Sequence, residues 1–311
     1  ATTEIYTLSL HDALPISTTI YLISLISLVF YFTAYIPSVK YFIMLGIAPH
    51  FVSLNVDKAV FEGGGTNIII YNYLTGQTSL EGFMRNSGPF WEPGMFAVFL
   101  NLALFFNNFF EKIKIKTCNI FLIISLATTM SAGGYVVGLF LLLLYLFKDK
   151  RINVFSLIIG SITILYLYNI FIDLEFIGQK ITYQLTNAEI GSDRSRLGAL
   201  LTQIKMIEAS PLIGGESLSK YVVSNSGTLA SGTLLPIVIL GIPVGLYYYW
   251  ILYKSSIKLA VSYDKRKING LFFFLLIVIL SFSQTILLSP LMLTIMFIGL
   301  LRSKKEKYAQ L

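Results

Sequence analysis

Fifteen of the chain's 23 Lys and Arg residues fall in four short clusters that punctuate long apolar stretches, and this pattern constrains the fold more than any other feature. The clusters are Lys112/Lys114/Lys116, Lys148/Lys150/Arg151, Lys254/Lys258/Lys265/Arg266/Lys267 and Arg302/Lys304/Lys305/Lys307. Short loops rich in Lys and Arg stay on the cytoplasmic side of a bilayer. Whatever lies between two clusters must therefore leave that face and return to it. Four acidic residues accompany the fifteen basic ones (Glu111, Asp149, Asp264, Glu306), whereas segments 37–93 and 173–232 together hold eight basic and ten acidic residues. The cytoplasmic loops thus account for the net charge of +7, and no nucleic-acid partner is needed.

With 55% apolar and only 13% charged residues, and a mean hydropathy of +0.74, the chain departs from soluble domains, which are about a quarter charged. Its apolar runs lack the strict alternation of a lipid-facing barrel strand, so helices are the remaining way to satisfy the backbone in lipid. An all-α, polytopic membrane protein in the cytoplasmic (inner) membrane is expected.

A span requires roughly 20 apolar residues. Ser17 to Ile36 meets this, as do Gly94 to Phe110, Ile152 to Ile172 and Thr233 to Tyr253. Cys118 to Phe147 is flanked by basic residues at both ends and, at 1.5 Å per residue, is about 45 Å long, too long for one crossing. A break at Ser131-Ala132-Gly133-Gly134 makes two short helices of it, and a break at Ser289-Pro290 does the same for Asn269 to Leu301. About eight spans result: five in 17–172, interrupted by the external segment 37–93, and three in 233–302. Segment 173–232 becomes a large external loop and 303–311 a cytoplasmic tail. Tyr41 to Val52 is apolar enough to dip into the membrane without crossing. Residues 1–16, ATTEIYTLSLHDALPI, resemble a translated sequencing adapter, so the expectation is an N-terminally truncated chain with further helices upstream.

The chemistry available is narrow. Cys118 is the single cysteine, which excludes an intrachain disulfide and a multi-cysteine metal site, and the two histidines, His11 and His50, make a histidine metal cluster equally improbable. Arg, Glu, Asp, Tyr and backbone groups remain.

Each external segment holds one dense motif. RNSGPFWEPG, Arg85 to Gly94, enters the second span; its prolines and glycines predict a rigid turn at the membrane surface, with Trp91 at headgroup level and Arg85 and Glu92 near the mouth of the bundle. The plain alternative is an interfacial loop with a Trp anchor and solvated charges. GSDRSRLGALLTQIKMIEASPLIGG, Gly191 to Gly215, contains a helix capped by Ser192 or Asp193 and stopped by Pro211 and Gly214. Leu197, Leu200, Leu201, Ile204 and Ile207 form its apolar stripe, with Thr202, Gln203, Lys205 and Glu208 off it. Arg194 and Arg196 fall in its first turn, the electropositive end, which suggests a phosphate site; arginines snorkelling to lipid headgroups are the alternative.

The order of these features resembles the O-antigen ligase and O-antigen polymerase superfamily. Shared are the R-x-x-G-x-x-x-E-P-G segment entering a helix, the T-x-S-x-G-G break (Thr129 to Gly134), the external-loop Arg196 followed by P-L-I-G-G, and a glycine-bearing helix at Gly241-Ile242-Pro243. The resemblance covers about Gly82 to Leu301 and implies a glycan polymerase or ligase on the outer face of the membrane. Such an enzyme transfers a polyprenyl-diphosphate-linked oligosaccharide to a hydroxyl of an acceptor glycan, with membrane lipids around it. It implies catalytic roles for Arg196 and Arg85 on the diphosphate, which suits arginine's planar, permanently charged fork. Arginines stabilising the departing diphosphate can replace a metal ion, so no metal or cofactor is expected. Glu92 is the candidate general base for the acceptor hydroxyl, unless it merely pairs with Arg85. Arg194, Trp91 and Asn225 are candidate substrate contacts. Many ligases carry a histidine after P-L-x-G where this chain has Asn225 and Ser226, which favours the polymerase reading. A membrane transporter is the alternative function.

Overall fold

The computed structural model describes residues 15–47, 50, 53–54, 65–67, 70–74, 84–110, 116–147, 186, 195–215, 231–263 and 265–297. The chain divides into two compact units, Ala1–Asp149 and Lys150–Leu311. The fold is helical. Three helices are long and apolar enough to cross a bilayer: Ile16–Thr33, Pro93–Phe110 and Leu235–Ser262. The expected fifth span, 152–172, lies outside the described residues.

In the first unit, α1 (Pro15–Thr33) is followed by the short α2 (Pro37–Phe42), whose last turn widens into a π-helix over Ile43–Ile47. α1 therefore begins within the adapter-like segment and ends before Ile36. α3 (Pro93–Phe105) continues as a π-helix through Phe110, and α4 (Lys116–Thr128) and α5 (Ala132–Phe147) complete the unit. The 37–93 segment also holds three short antiparallel strands, β1 (Ser53–Leu54), β2 (Gly65–Asn67) and β3 (Asn72–Leu74), paired in that order with Leu54 opposite Gly65 and Thr66 opposite Tyr73. This small sheet accompanies an otherwise helical fold, and its Thr66 and Tyr73 are residue types that suit a pleated surface.

α3 is apolar all round and is accordingly the buried helix of its unit: Phe96, Leu100, Leu102, Phe105, Phe109 and Phe110 are all fully enclosed. Matching positions give the helix directions. Tyr21 packs on Phe121, and the Ser125 hydroxyl donates to the Ser24 carbonyl, so α1 and α4 run parallel. The Asn101 amide donates to the Gly134 carbonyl (3.1 Å), and a Cβ on Gly134 would stand 2.6 Å from that of Ala97. α3 and α5 thus run alongside each other.

The break between α4 and α5 falls at 129–131, not at the glycines. Met130 takes the left-handed conformation (φ 46°), while Ala132, Gly133 and Gly134 form the first turn of α5. Gly134 serves the close approach to α3, the usual role of small residues between membrane helices, where apolar packing alone gives no advantage over lipid.

α1 is built inside out for a water-soluble helix. Leu22, Ile26, Val29 and Phe32 are exposed on one face, while Ser24 and Ser27 are buried on the other. An exposed apolar stripe backed by buried hydroxyls suits hydrocarbon as the surrounding medium.

In the second unit, α6 (Arg196–Ala209) packs on α7 (Leu235–Ser262), and α8 (Lys267–Ser283) returns antiparallel to α7. Gly270 lets α8 approach closely: a Cβ there would lie 2.6 Å from the Ile257 Cα. The chain turns at 284–289 and resumes a helix at Pro290, the position anticipated for a break. Tyr248 donates to the Leu287 carbonyl and Ser255 to that of Met296, so this last stretch runs in the direction of α7.

Candidate functional site

RNSGPFWEPG is not the surface turn its composition suggests. Asn86 and Ser87 are completely buried. The Asn86 amide donates to the Ser27 hydroxyl (3.0 Å) and to the Thr128 hydroxyl (2.9 Å), its N–H donates to the Thr128 carbonyl (2.9 Å), and its Oδ1 accepts from the Gly88 N–H (3.0 Å). One asparagine thus stitches α1 to the end of α4. Gly88 is in the left-handed region (φ 54°), and a Cβ there would sit 3.2 Å from the Phe96 ring, so the turn needs glycine both for its backbone and for space.

This seating aims Arg85. Its Nε donates to the Thr129 carbonyl (3.2 Å), in the α4–α5 turn, and the half-buried guanidinium lies within electrostatic reach of the Tyr135 phenol. Tyr135 itself donates to the Ala127 carbonyl. Nearby on α1 the Tyr31 and Tyr35 hydroxyls share a hydrogen bond (3.0 Å), and Tyr35 also accepts from the Met84 N–H. One end of the first unit therefore gathers a guanidinium and three phenols. Glu92 heads α3: its carbonyl accepts from Met95 and Phe96, and its carboxylate makes no capping bond. Trp91 is half exposed beside it.

Arg196 belongs to the second unit. The cap of α6 is Ser195, whose hydroxyl accepts from the Gly198 N–H (3.2 Å), rather than Ser192 or Asp193. Arg196 is thus the first helical residue, while Arg194 precedes the cap and, like Asn225, lies outside the described residues. The buried face of α6 mixes polar and apolar residues. Gly198, Ala199, Thr202, Gln203 and Met206 are buried, whereas Leu197, Leu200, Leu201 and Ile207 are half-buried and Ile204 is exposed. Met206 and the stripe residue Ile207 pack with Val238 and Leu235.

Gln203 is the consequential residue on that inner face. Completely buried, it donates from Nε2 to the Ser231 carbonyl, while its own Oε1 and the Ser231 hydroxyl have no hydrogen-bond partner among the described residues. Buried polar groups are ordinarily paired, and these two atoms are exceptions among the described residues. Arg196 lies two turns before Gln203, on the same face.

Sequence reasoning passed over Asn86, Tyr135 and Gln203. The available signal was their cost: an amide or phenol within or beside an apolar span requires a partner, but the partner's identity is not local information. Compared with known proteins, the chain matches no family model, no curated protein and no solved structure.

Proposed function

We propose that this chain is a multi-span glycan polymerase or ligase of the cytoplasmic membrane. In this reading it crosses the bilayer about eight times, keeps its four basic clusters inside, and transfers an oligosaccharide from a polyprenyl diphosphate to an acceptor hydroxyl on the outer face. The reading is supported by Arg196 at the first position of α6, on a buried face that includes Thr202 and Gln203, with Gln203 Oε1 and Ser231 Oγ unpartnered among the described residues. The electropositive start of a helix favours an anion, a guanidinium adds a bidentate fork for phosphate oxygens, and the amide–hydroxyl pair two turns on suits a sugar hydroxyl. Arg85, among Tyr31, Tyr35 and Tyr135, offers a second cation at the end of its own unit, with Glu92 as the proton acceptor, Trp91 as a sugar-stacking ring and Arg194 and Asn225 as further contacts.

The test is transfer itself. Liposomes containing the full chain and a polyprenyl-diphosphate-linked oligosaccharide should yield elongated or transferred glycan and release polyprenyl diphosphate. No release of polyprenyl diphosphate with any hydroxyl acceptor would refute the reading. A transporter is the second reading, and the interruption of α7 at Gly241 is the observation that favours it, since transporters build binding sites at broken helices. Movement of an intact lipid-free solute across the same liposomes would support it.

A further inference from the structure

α7 is broken by Gly241 (φ 79°, ψ 166°), two residues before Pro243. In a continuous helix the Ile242 N–H would donate to the Val238 carbonyl. Here each of those groups has another partner: Ile242 N–H donates to the Pro211 carbonyl (2.8 Å), and the Val238 carbonyl accepts from the Gly215 N–H (2.9 Å). The Pro211–Gly215 turn is therefore inserted into the helix, replacing the bond that the break removes. Two glycines permit the contact. A Cβ on Gly214 would lie 2.4 Å from the Gly241 nitrogen, and one on Gly241 would lie 2.2 Å from the Leu212 carbonyl oxygen.

The break lies at a definable depth. Lys254 and Lys258 mark one end of the apolar part of α7, leaving Leu235 to Tyr253, about 28 Å at 1.5 Å per residue, to cross a hydrocarbon core about 30 Å thick. Gly241, six residues beyond the start, then sits about 9 Å inside the core. The side chains at the tip of the inserted turn are Leu212 and Ile213, 71% and 86% exposed. Water at that position would face two of the most exposed large apolar groups in the described chain; acyl chains would not. Irregular backbone is admissible at such depth only when its polar groups are satisfied by protein, and α7 satisfies the Gly215 N–H and the Pro211 carbonyl. On α6 the exposed positions nearest the turn are Ile204, Lys205, Glu208 and Ala209, so the strongly apolar exposure is that of the turn itself.

We propose that the Pro211–Gly215 turn re-enters the outer leaflet at the end of α6, with Leu212 and Ile213 immersed in lipid acyl chains rather than in an external aqueous loop. The inference rests on the membrane reading above but not on glycan transfer. It gives that reading a route: α6 has 14 residues, about 21 Å, enough to connect the buried tip to Arg196 at headgroup level, where the diphosphate of a lipid-borne substrate resides.

Site-directed spin labelling tests it. The full chain carrying Cys118→Ala is labelled at Ile213→Cys, reconstituted in phosphatidylcholine–phosphatidylglycerol liposomes, and probed by collision with oxygen and with a water-soluble nickel chelate. Val244→Cys, exposed on α7, is the lipid reference, and Lys265→Cys, in the α7–α8 loop, is the aqueous one. The expected oxygen-to-nickel ratio at Ile213 matches that at Val244 and is severalfold above that at Lys265. A ratio equal to that of Lys265 overturns the proposal, and so does low collision with both reagents, which would place another protein surface, such as a second copy, over the tip. Leu212→Cys gives an independent reading of the same depth should Ile213→Cys fail to fold. An aqueous ratio at Val244 would overturn the membrane reading itself, whereas an enzyme inactive on glycans would leave the depth result intact.

Discussion

Arg196 and Asn86 show what a single side chain is asked to do in each unit. If Arg196 holds a diphosphate through two parallel hydrogen bonds, Arg196→Lys keeps the charge but loses the fork. A hydrogen bond to a charged group is worth roughly 1.5–3 kcal/mol, so its loss lowers turnover by about 10- to 150-fold; Arg196→Ala should do at least as much, at unchanged protein level. Lys205→Ala, on an exposed position of the same helix, should be nearly silent. Full activity in Arg196→Ala would return α6 to a purely structural role. Asn86 makes its case through stability. Its side chain holds Ser27 and Thr128 across helices and Gly88 within its own turn, and interhelical hydrogen bonds in membrane proteins average about 0.6 kcal/mol, so loss of the two interhelical bonds in Asn86→Ala should remove about 1 kcal/mol. Thermal unfolding in detergent should show a lowered midpoint, and an unchanged one would mean that α1 is held by packing alone.

Helices in this chain meet where side chains are small, because lipid is as apolar as leucine and only close packing distinguishes a neighbour from solvent. Gly134 against Ala97 is the clearest such pair. Gly134→Ala overpacks it, which typically costs about 1–3 kcal/mol, and Ala97→Gly in the same molecule should restore much of the loss. Absence of rescue in thermal unfolding of the double variant would show that α3 and α5 do not meet there. On α6 the buried face holds Thr202 and Gln203 together with Ala199 and Met206.

Across the whole molecule the charge pattern makes the strongest demand. In intact cells, and with Cys118 removed, Ser217→Cys should react with a membrane-impermeant thiol reagent while Lys265→Cys should react only after the membrane is opened. The opposite pattern would invert the topology and place the candidate site on the cytoplasmic face.

Length, apolar runs and the four basic clusters determined by themselves that the chain is helical, that its apolar stretches suit a bilayer, and where helices must stop: the 129–131 and 284–289 turns fall at or beside the breaks demanded by stretches too long for one crossing. These are local or statistical properties, fixed by the energetic cost of unpaired backbone and charge in hydrocarbon. Tertiary structure alone decided the rest. It put Met130 rather than a glycine in the turn and spent Gly134 on helix contact; it buried Asn86 between α1 and α4 and so aimed Arg85 at Thr129; and it threaded Pro211–Gly215 into the break of α7. Each of these depends on which distant backbone or hydroxyl satisfies a buried polar group, and that pairing is a property of the packed chain, not of any stretch of its sequence.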